Sequence, residues 1–371
     1  MEEKKYWVGF NLIKGIGAVR MQGLIAHFGS MASAWKADPA ELGEAGLGQR
    51  LIERIEQARK GVDLDLIWEK IENQGIKILT WQDADYPSRL KEIEQPPPVL
   101  YIRGSFLEED LFAISIVGTR RVSPYGRQIT EEIAAFLAAN GVTVVSGLAR
   151  GVDAIAHQSS LKAGGRTIAV MGSGVDKIYP PEHRGLAVQI MERGAILSDY
   201  APGTPPDGSN FPPRNRIISG LSLAVVVIEA GETSGALITA EFAAEQGRDV
   251  FAVPGSILAP QSRGTNKLIQ NGAFPLLTGN DLLQALDLKR IGERTSARRS
   301  LPADETEARI LDILGSEPLH VDEIRNRLEL PIEKVSATLA LMELKGMARQ
   351  TGGMSYVVIR EEQAEYHAGD H

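Results

Sequence analysis

The chain has 371 residues, 43% of them hydrophobic and 24% charged, an ordinary globular composition at a length that exceeds one typical core of roughly 100–200 residues. Zero cysteines exclude disulfides, thiolate catalysis and cysteine-held zinc or iron–sulfur centres, and the start MEEKK with no long apolar run leads us to expect a cytoplasmic protein without a membrane span. The net charge of −8 excludes a surface that is basic throughout, so any polyanion site must be local.

Residues 1–72 read as a module of short amphipathic helices over 7–12, 19–27, 31–37 and 51–58 and on through Trp68. Lys14-Gly15-Ile16-Gly17 and Ala45-Gly46-Leu47-Gly48 lie 31 residues apart, and each leads into a helix. Gly-x-Gly lets the backbone turn tightly and presents N–H groups at a helix start, which can hold a phosphate. The pair resembles two helix-hairpin-helix units in a SAM-like module. Two hairpins that merely pack together are the alternative, because few basic residues flank the turns.

From about Ile76 the pattern predicts strands over 77–81, 99–102, 113–117, 142–146, 167–171, 195–199, 224–229, 250–253 and 274–277, with helices such as 125–140, 153–163 and 235–246 between them. Near-continuous apolar strands separated by helices mean a sheet covered on both faces. The fold class is therefore α/β: an extended Rossmann-like, doubly wound, mostly parallel sheet over residues 73–287. Residues 288–304 read as a basic linker carrying Arg290, Arg294, Arg298 and Arg299. Helices over 305–314, 321–328 and 332–344, then a hairpin, give a winged-helix domain over 305–360 and leave a polar tail over 361–371. Between 303 and 349 ten acidic residues face six basic ones, which favours a protein-contact role for the winged helix over a grip on duplex DNA.

In an open parallel sheet, ligands bind outside the carboxyl ends of the strands. The first such loop is Gly118-Thr119-Arg120-Arg121, where close backbone approach, a hydroxyl and a guanidinium fork suit a phosphate; an ordinary capped turn is the alternative. The second runs Ser146-Gly147-Leu148-Ala149-Arg150-Gly151 to Asp153, a residue placed to cap the next helix, with His157 one turn in as a packed or hydrogen-bonded histidine. The third passes from Gly174 through Tyr179-Pro180-Pro181-Glu182-His183 to Arg184. The fourth sets Phe211 beside Arg214, Asn215 and Arg216, an aromatic for stacking bases next to cations for phosphates, although Phe211 could equally plug the core. The last leads from Glu229 to Ser234-Gly235. Such a rim reads several phosphates in a row rather than one small substrate.

No dinucleotide fingerprint, phosphate-loop lysine, nucleophile-elbow serine or H-E-x-x-H occurs, and the six histidines are scattered. We expect no catalytic residue, no cofactor and no metal.

Taken together, SIVGTR at 115–120, VSGLARGVDAIAH at 145–157, SNFPPRNRIIS at 209–219 and IEAGETSGALITAE at 228–241 resemble the DprA/Smf DNA-processing family, with VPGSI at 253–257 and NKLIQNG at 266–272 extending the likeness across the α/β region. The resemblance implies a recombination mediator of natural transformation that binds and protects incoming single-stranded DNA, forms a homodimer and helps load the RecA recombinase. It implies no enzyme. By the same resemblance Gly118, Thr119 and Arg120 would grip phosphate, Arg214, Asn215 and Arg216 would form a second rim, and Leu268 and Ile269 would lie in a dimer contact; being adjacent on one helix they cannot both point into the core, so one should be exposed in a monomer. Many members carry a phosphate-binding lysine just after the Tyr-Pro of the third loop; here Pro181-Glu182-His183 stands there, with Arg184 the candidate substitute. Two rival functions are a nucleotide-processing enzyme using Glu229 as acid/base and a DNA-binding regulator working through the winged helix.

Overall fold

The runs Ala113–Val117, Thr143–Ser146, Thr167–Val170 and Ala224–Val227 are buried at every position, as β-branched segments covered by helices on both faces must be. The computed structural model describes residues 2–285, 305–314, 318–328, 330–344 and 348–358, which divide into two units, Met1–Leu282 and Leu283–His371. The expected linker 288–304 and tail 361–371 lie outside the described residues.

The first unit begins with six helices: α1 (Glu2–Asn11), α2 (Ala18–Phe28), α3 (Met31–Lys36), α4 (Pro39–Glu44), α5 (Gln49–Gly61) and α6 (Leu64–Asn73). The two Gly-x-Gly turns precede α2 and α5, with Gly17 and Gly48 at the helix starts and Gly15 and Gly46 at φ +102° and +85°. At the 31-residue spacing, Ile16 and Leu47, Met21 and Ile52, and Leu24 and Ile55 are all buried, so the sequence repeat is a repeat of packing. Helix α4 escaped the periodicity, yet Asp38 and Glu41 bracket its start as a capping box with Pro39 in the first turn.

The sheet contains β1 (Lys77–Thr80), β2 (Val99–Gly104), β3 (Ala113–Val117), β4 (Thr143–Ser146), β5 (Thr167–Val170), β6 (Ala195–Ser198), β7 (Ala224–Val227), β8 (Asp249–Ala252) and β9 (Phe274–Pro275), in the order β1-β2-β6-β5-β4-β3-β7-β8-β9. All pairings from β6 to β9 are parallel, whereas β1 pairs β2 and β2 pairs β6 antiparallel. Helices α7 (Ser88–Lys91), α8 (Pro124–Ala139), α9 (Val152–Lys162), α10 (Arg184–Arg193), α11 (Phe211–Leu221), α12 (Gly235–Glu245), α13 (Arg263–Gln270) and α14 (Gly279–Ala285) connect and cover it. The chain winds from β3 out to β6 and then crosses to β7 on the other flank of β3, so a crevice opens at the carboxyl ends of β3, β4 and β7.

The helical module and the sheet share one apolar cluster, in which Trp7, Phe10 and Met21 meet Ile78, Tyr101 and Ile196. Trp7 stands edge-on to Trp81 with centroids 5.7 Å apart, and Lys4 Nζ donates to the Ile78 carbonyl.

In the second unit α15 (Glu305–Ile313), α16 (Val321–Leu328) and α17 (Ile332–Leu344) enclose Ile310, Ile324, Val335, Leu339 and Met342. Strand β10 (Leu319–His320) joins the hairpin of β11 (Ala348–Gly352) and β12 (Ser355–Val358) in the order β10-β12-β11, completing a winged helix. Among the described residues no helix is long and apolar enough to cross a membrane.

Candidate functional site

A recess of about 640 Å³ occupies the crevice, lined by Val117, Gly118 and Arg120 after β3, Ala149 after β4, Tyr179 after β5, Pro206 to Asn215 after β6, and Ser234 to Thr239 after β7. Every loop singled out in the sequence reaches this region. Two of them interlock: a Cβ on Gly151, at φ +78°, would collide with the Thr119 carbonyl oxygen, and the Val152 N–H donates to that same oxygen.

Arg120 is exposed and lies over the Phe211 ring, its guanidinium carbon 5.8 Å from the centroid, while Arg214 stands 5.9 Å from it and the Tyr179 ring 5.8 Å away. Phe211 is half-buried, so one part of the ring packs and the other lines the recess.

Arg214 is buried. Its Nη1 donates to the Gly147 carbonyl at 3.0 Å and to the Val170 carbonyl, and its Nε donates to Asn215 Oδ1 at 3.2 Å. Burial pushes its pKa down to about 10, with Asp153 opposing the shift, so it is a fixed cation at neutral pH. It buttresses the recess and ties α11 to the ends of β4 and β5. Asn215 links α11 to α12, donating from Nδ2 to the Gly235 carbonyl at 3.2 Å. Ser234 caps α12, and with Gly235 it brings that helix start to the recess wall.

Asp153 differs from its expected role. Gly151 starts α9, and the buried Asp153 carboxylate instead accepts the Gly147 and Ala149 N–H groups at 3.2 and 3.3 Å, holding the loop before the helix. Burial raises its pKa against the pull of Arg214 and of those N–H donors. Leu148 between them is buried at φ +58°, a left-handed backbone fixed by packing and by a 2.8 Å hydrogen bond between its carbonyl and His183 Nδ1.

The expected row of six rim arginines resolves into several different situations. Arg150 pairs with Glu182 at 2.5 Å beside a narrower recess that it shares with Gly147, Tyr179 and Phe211. Arg216 turns to Asp199 at 2.9 Å and does not line the recess. Arg121 and Arg184 are exposed but outside the lining, and Arg184 opens α10. Nor do Gly151, packed on the Thr119 carbonyl, and three other candidates line the recess. Gly174 is buried, donating its N–H to the Thr204 carbonyl; Ser146 Oγ donates to the Ile116 carbonyl; and Thr119 Oγ1 accepts the Arg121 N–H.

Glu229, the candidate acid/base of the rival enzyme reading, does not line the recess. Glu229 is buried and its two oxygens accept the Ser123 N–H at 2.9 Å and the Ser123 hydroxyl at 2.5 Å, a strut to the start of α8. His157 is buried with Nδ1 2.6 Å from Thr167 Oγ1, and burial pushes its pKa down to about 3. Among the described residues no group of three or more His, Cys, Asp or Glu side chains could hold a metal ion. Sequence reasoning missed Asp199 and the lip formed by Pro206 and Gly208. The Pro/Gly-rich run APGTPPDGS over 201–209 was the available signal for that lip.

At the other end of the sheet Leu268 and Ile269 are both half-buried, and Leu268 packs against the sheet core, so neither is fully exposed. Strongly exposed apolar residues follow and precede α13 in the chain: Phe274 at 48% and Leu277 at 73%, and Ile257 and Leu258 at 81% and 85%.

A family model described as DNA recombination-mediator protein A matches residues 77–287, and one described as DprA winged helix domain matches 294–354. The chain is 39% identical to Protein Smf of Synechocystis sp., over 95% of this chain and 98% of that one. The structure of DNA processing protein A from Streptococcus pneumoniae aligns with a TM-score of 0.67 at 35% identity, covering 76% of this chain and 97% of that one. A structure of DNA processing protein A from Helicobacter pylori, described as showing its single-stranded DNA binding mode, aligns at 0.51 and 31% identity over 57% and 95% of the two chains.

Proposed function

Because the chain belongs to the DNA recombination-mediator protein A family, we propose that its crevice binds single-stranded DNA and that the protein protects such DNA, helps load the RecA recombinase in the cytoplasm during natural transformation, and works as a homodimer. One observation carries the DNA reading: Arg120, an exposed cation, lies over Phe211 at the mouth of a recess backed by the buried cation Arg214. A base can stack on the free part of the ring while the adjacent phosphate meets Arg120 and the start of α12. The fixed positions of Asn215 and Arg214 leave few free donors or acceptors to read a base edge, which supports binding with little sequence preference. The reading is one of binding, supported by the hydrogen bonds that hold Glu229 to Ser123 and by its place outside the recess lining.

The test is the affinity for single- and double-stranded oligonucleotides of several sequences across a salt series, with nucleotide hydrolysis followed in parallel. A preference for single strands with a steep salt slope and no hydrolysis is the expected result. Hydrolysis at the recess, or a duplex preference that disappears when residues 305–371 are removed, would favour one of the two rival functions instead.

A further inference from the structure

The first Gly-x-Gly turn lies against the same rim as the recess. Asn11, the last residue of α1, donates from Nδ2 to the Asp199 carbonyl just beyond β6 at 3.3 Å. Three residues later stands Lys14. Its charge reaches Asp207, whose carboxyl the Ser209 hydroxyl and N–H hold below the usual range, with Lys14 adding a smaller effect. Asp207 sits between Pro206 and Gly208, the two residues that form the lip of the recess.

Two more cations converge on this turn. Arg20 Nη1 donates to the Gly15 carbonyl at 2.5 Å, and Arg54 Nη1 reaches across from α5 to the Lys14 carbonyl at 2.8 Å. All three side chains are exposed. The second copy of the repeat keeps the apolar positions but not these charges: 31 residues on, Ala45 stands for Lys14 and Leu51 for Arg20. In a chain of net charge −8, Lys14 and Arg20 of the first copy and Arg54 from the helix of the second thus meet at the turn beside the lip.

We propose that this turn is a second phosphate-binding station for the same DNA strand, which leaves the recess over the Pro206–Gly208 lip and lays its backbone across Lys14, Arg20 and Arg54. The proposal rests on the reading of the recess as a single-strand site. A nucleic acid long enough to cross the lip gains contacts that a short one cannot reach, and those contacts are electrostatic, so length dependence and salt dependence rise together.

The experiment compares oligothymidylates of about two and about twenty nucleotides, the first short enough for the recess alone, with full-length protein and the double variant Lys14→Gln, Arg20→Gln. The variant should bind the longer strand several-fold more weakly with a salt slope flatter by about one to two and bind the shorter strand as before, whereas Lys14→Arg alone, which keeps every charge, should bind the longer strand as the native protein does. Thermal unfolding of each variant separates loss of contact from loss of fold. Unchanged affinity and slope for the longer strand in a folded variant overturn the proposal, as does an equal loss at both lengths. Failure of the native protein to bind either length overturns the reading of the recess itself, and this proposal with it.

Discussion

Arg216 Nη2 and Asp199 Oδ2 meet at 2.9 Å, while Arg214, two residues earlier on α11, reaches the Gly147 and Val170 carbonyls. At 3.6 residues per turn, side chains two apart diverge by about 200°, so the two arginines of one motif serve opposite faces of the helix. The ion pair is mostly buried, with 16% and 14% of the side chains exposed. Removing one partner from a buried pair costs about 3–5 kcal/mol, and partial exposure brings the expectation for Arg216→Ala to about 2 kcal/mol in denaturant unfolding. Its salt slope for single-stranded DNA should equal that of the native protein. A slope flatter by one would return Arg216 to the phosphate contacts.

Arg120→Ala should weaken binding about tenfold at low salt for every sequence alike and flatten the salt slope by about one. Phe211→Ala should cost about 1–3 kcal/mol of binding without changing the slope, because stacking releases no counterions. If the two variants share one signature, ring and cation do not divide the work as their 5.8 Å contact suggests.

His157 sets a pH dependence of stability. Its folded pKa of about 3 lies below the ordinary 6.5, so the unfolded chain binds the proton more tightly. Its contribution is complete above about pH 6.5 and is lost progressively as the pH falls toward 3, the loss being on the order of 1 kcal/mol by pH 5.5. His157→Gln should remove this part of the acid sensitivity while keeping a partner for Thr167 Oγ1. An unchanged profile between pH 5 and 7 would show that the imidazole finds a way to protonate inside the fold.

The proposed dimer is best probed at Ile269, because Leu268 contributes to the sheet core. Ile269→Glu should yield a folded monomer by light scattering at low micromolar concentration. A variant that remains dimeric would move the interface elsewhere.

The strands were legible because buried parallel segments such as AVVV and TVVS read as short apolar runs between Gly-rich loops. Their direction was not: the apolar pattern of Val99–Gly104 is the same whether it runs with or against β6. The loops of the site were equally plain, since they follow the strands. The fate of each arginine was hidden, because Arg214, Arg150 and Arg216 are claimed by two carbonyls, Glu182 and Asp199, partners between 17 and 67 residues away. Charge type predicts attraction to phosphate, but only the fold decides which charge is already answered.

The apolar cluster joining α1 to the sheet gives the first unit a single unfolding fate. Trp7 and Phe10 are fully buried, and Tyr101 beneath them donates its hydroxyl to Asn11 Oδ1 at 2.9 Å. A fragment beginning at residue 77 would bare that tyrosine together with Ile78, whose cover comes from this cluster. Amide protons of α1 should accordingly exchange with solvent on the same timescale as those of β2 and β6, opening together rather than peeling away first.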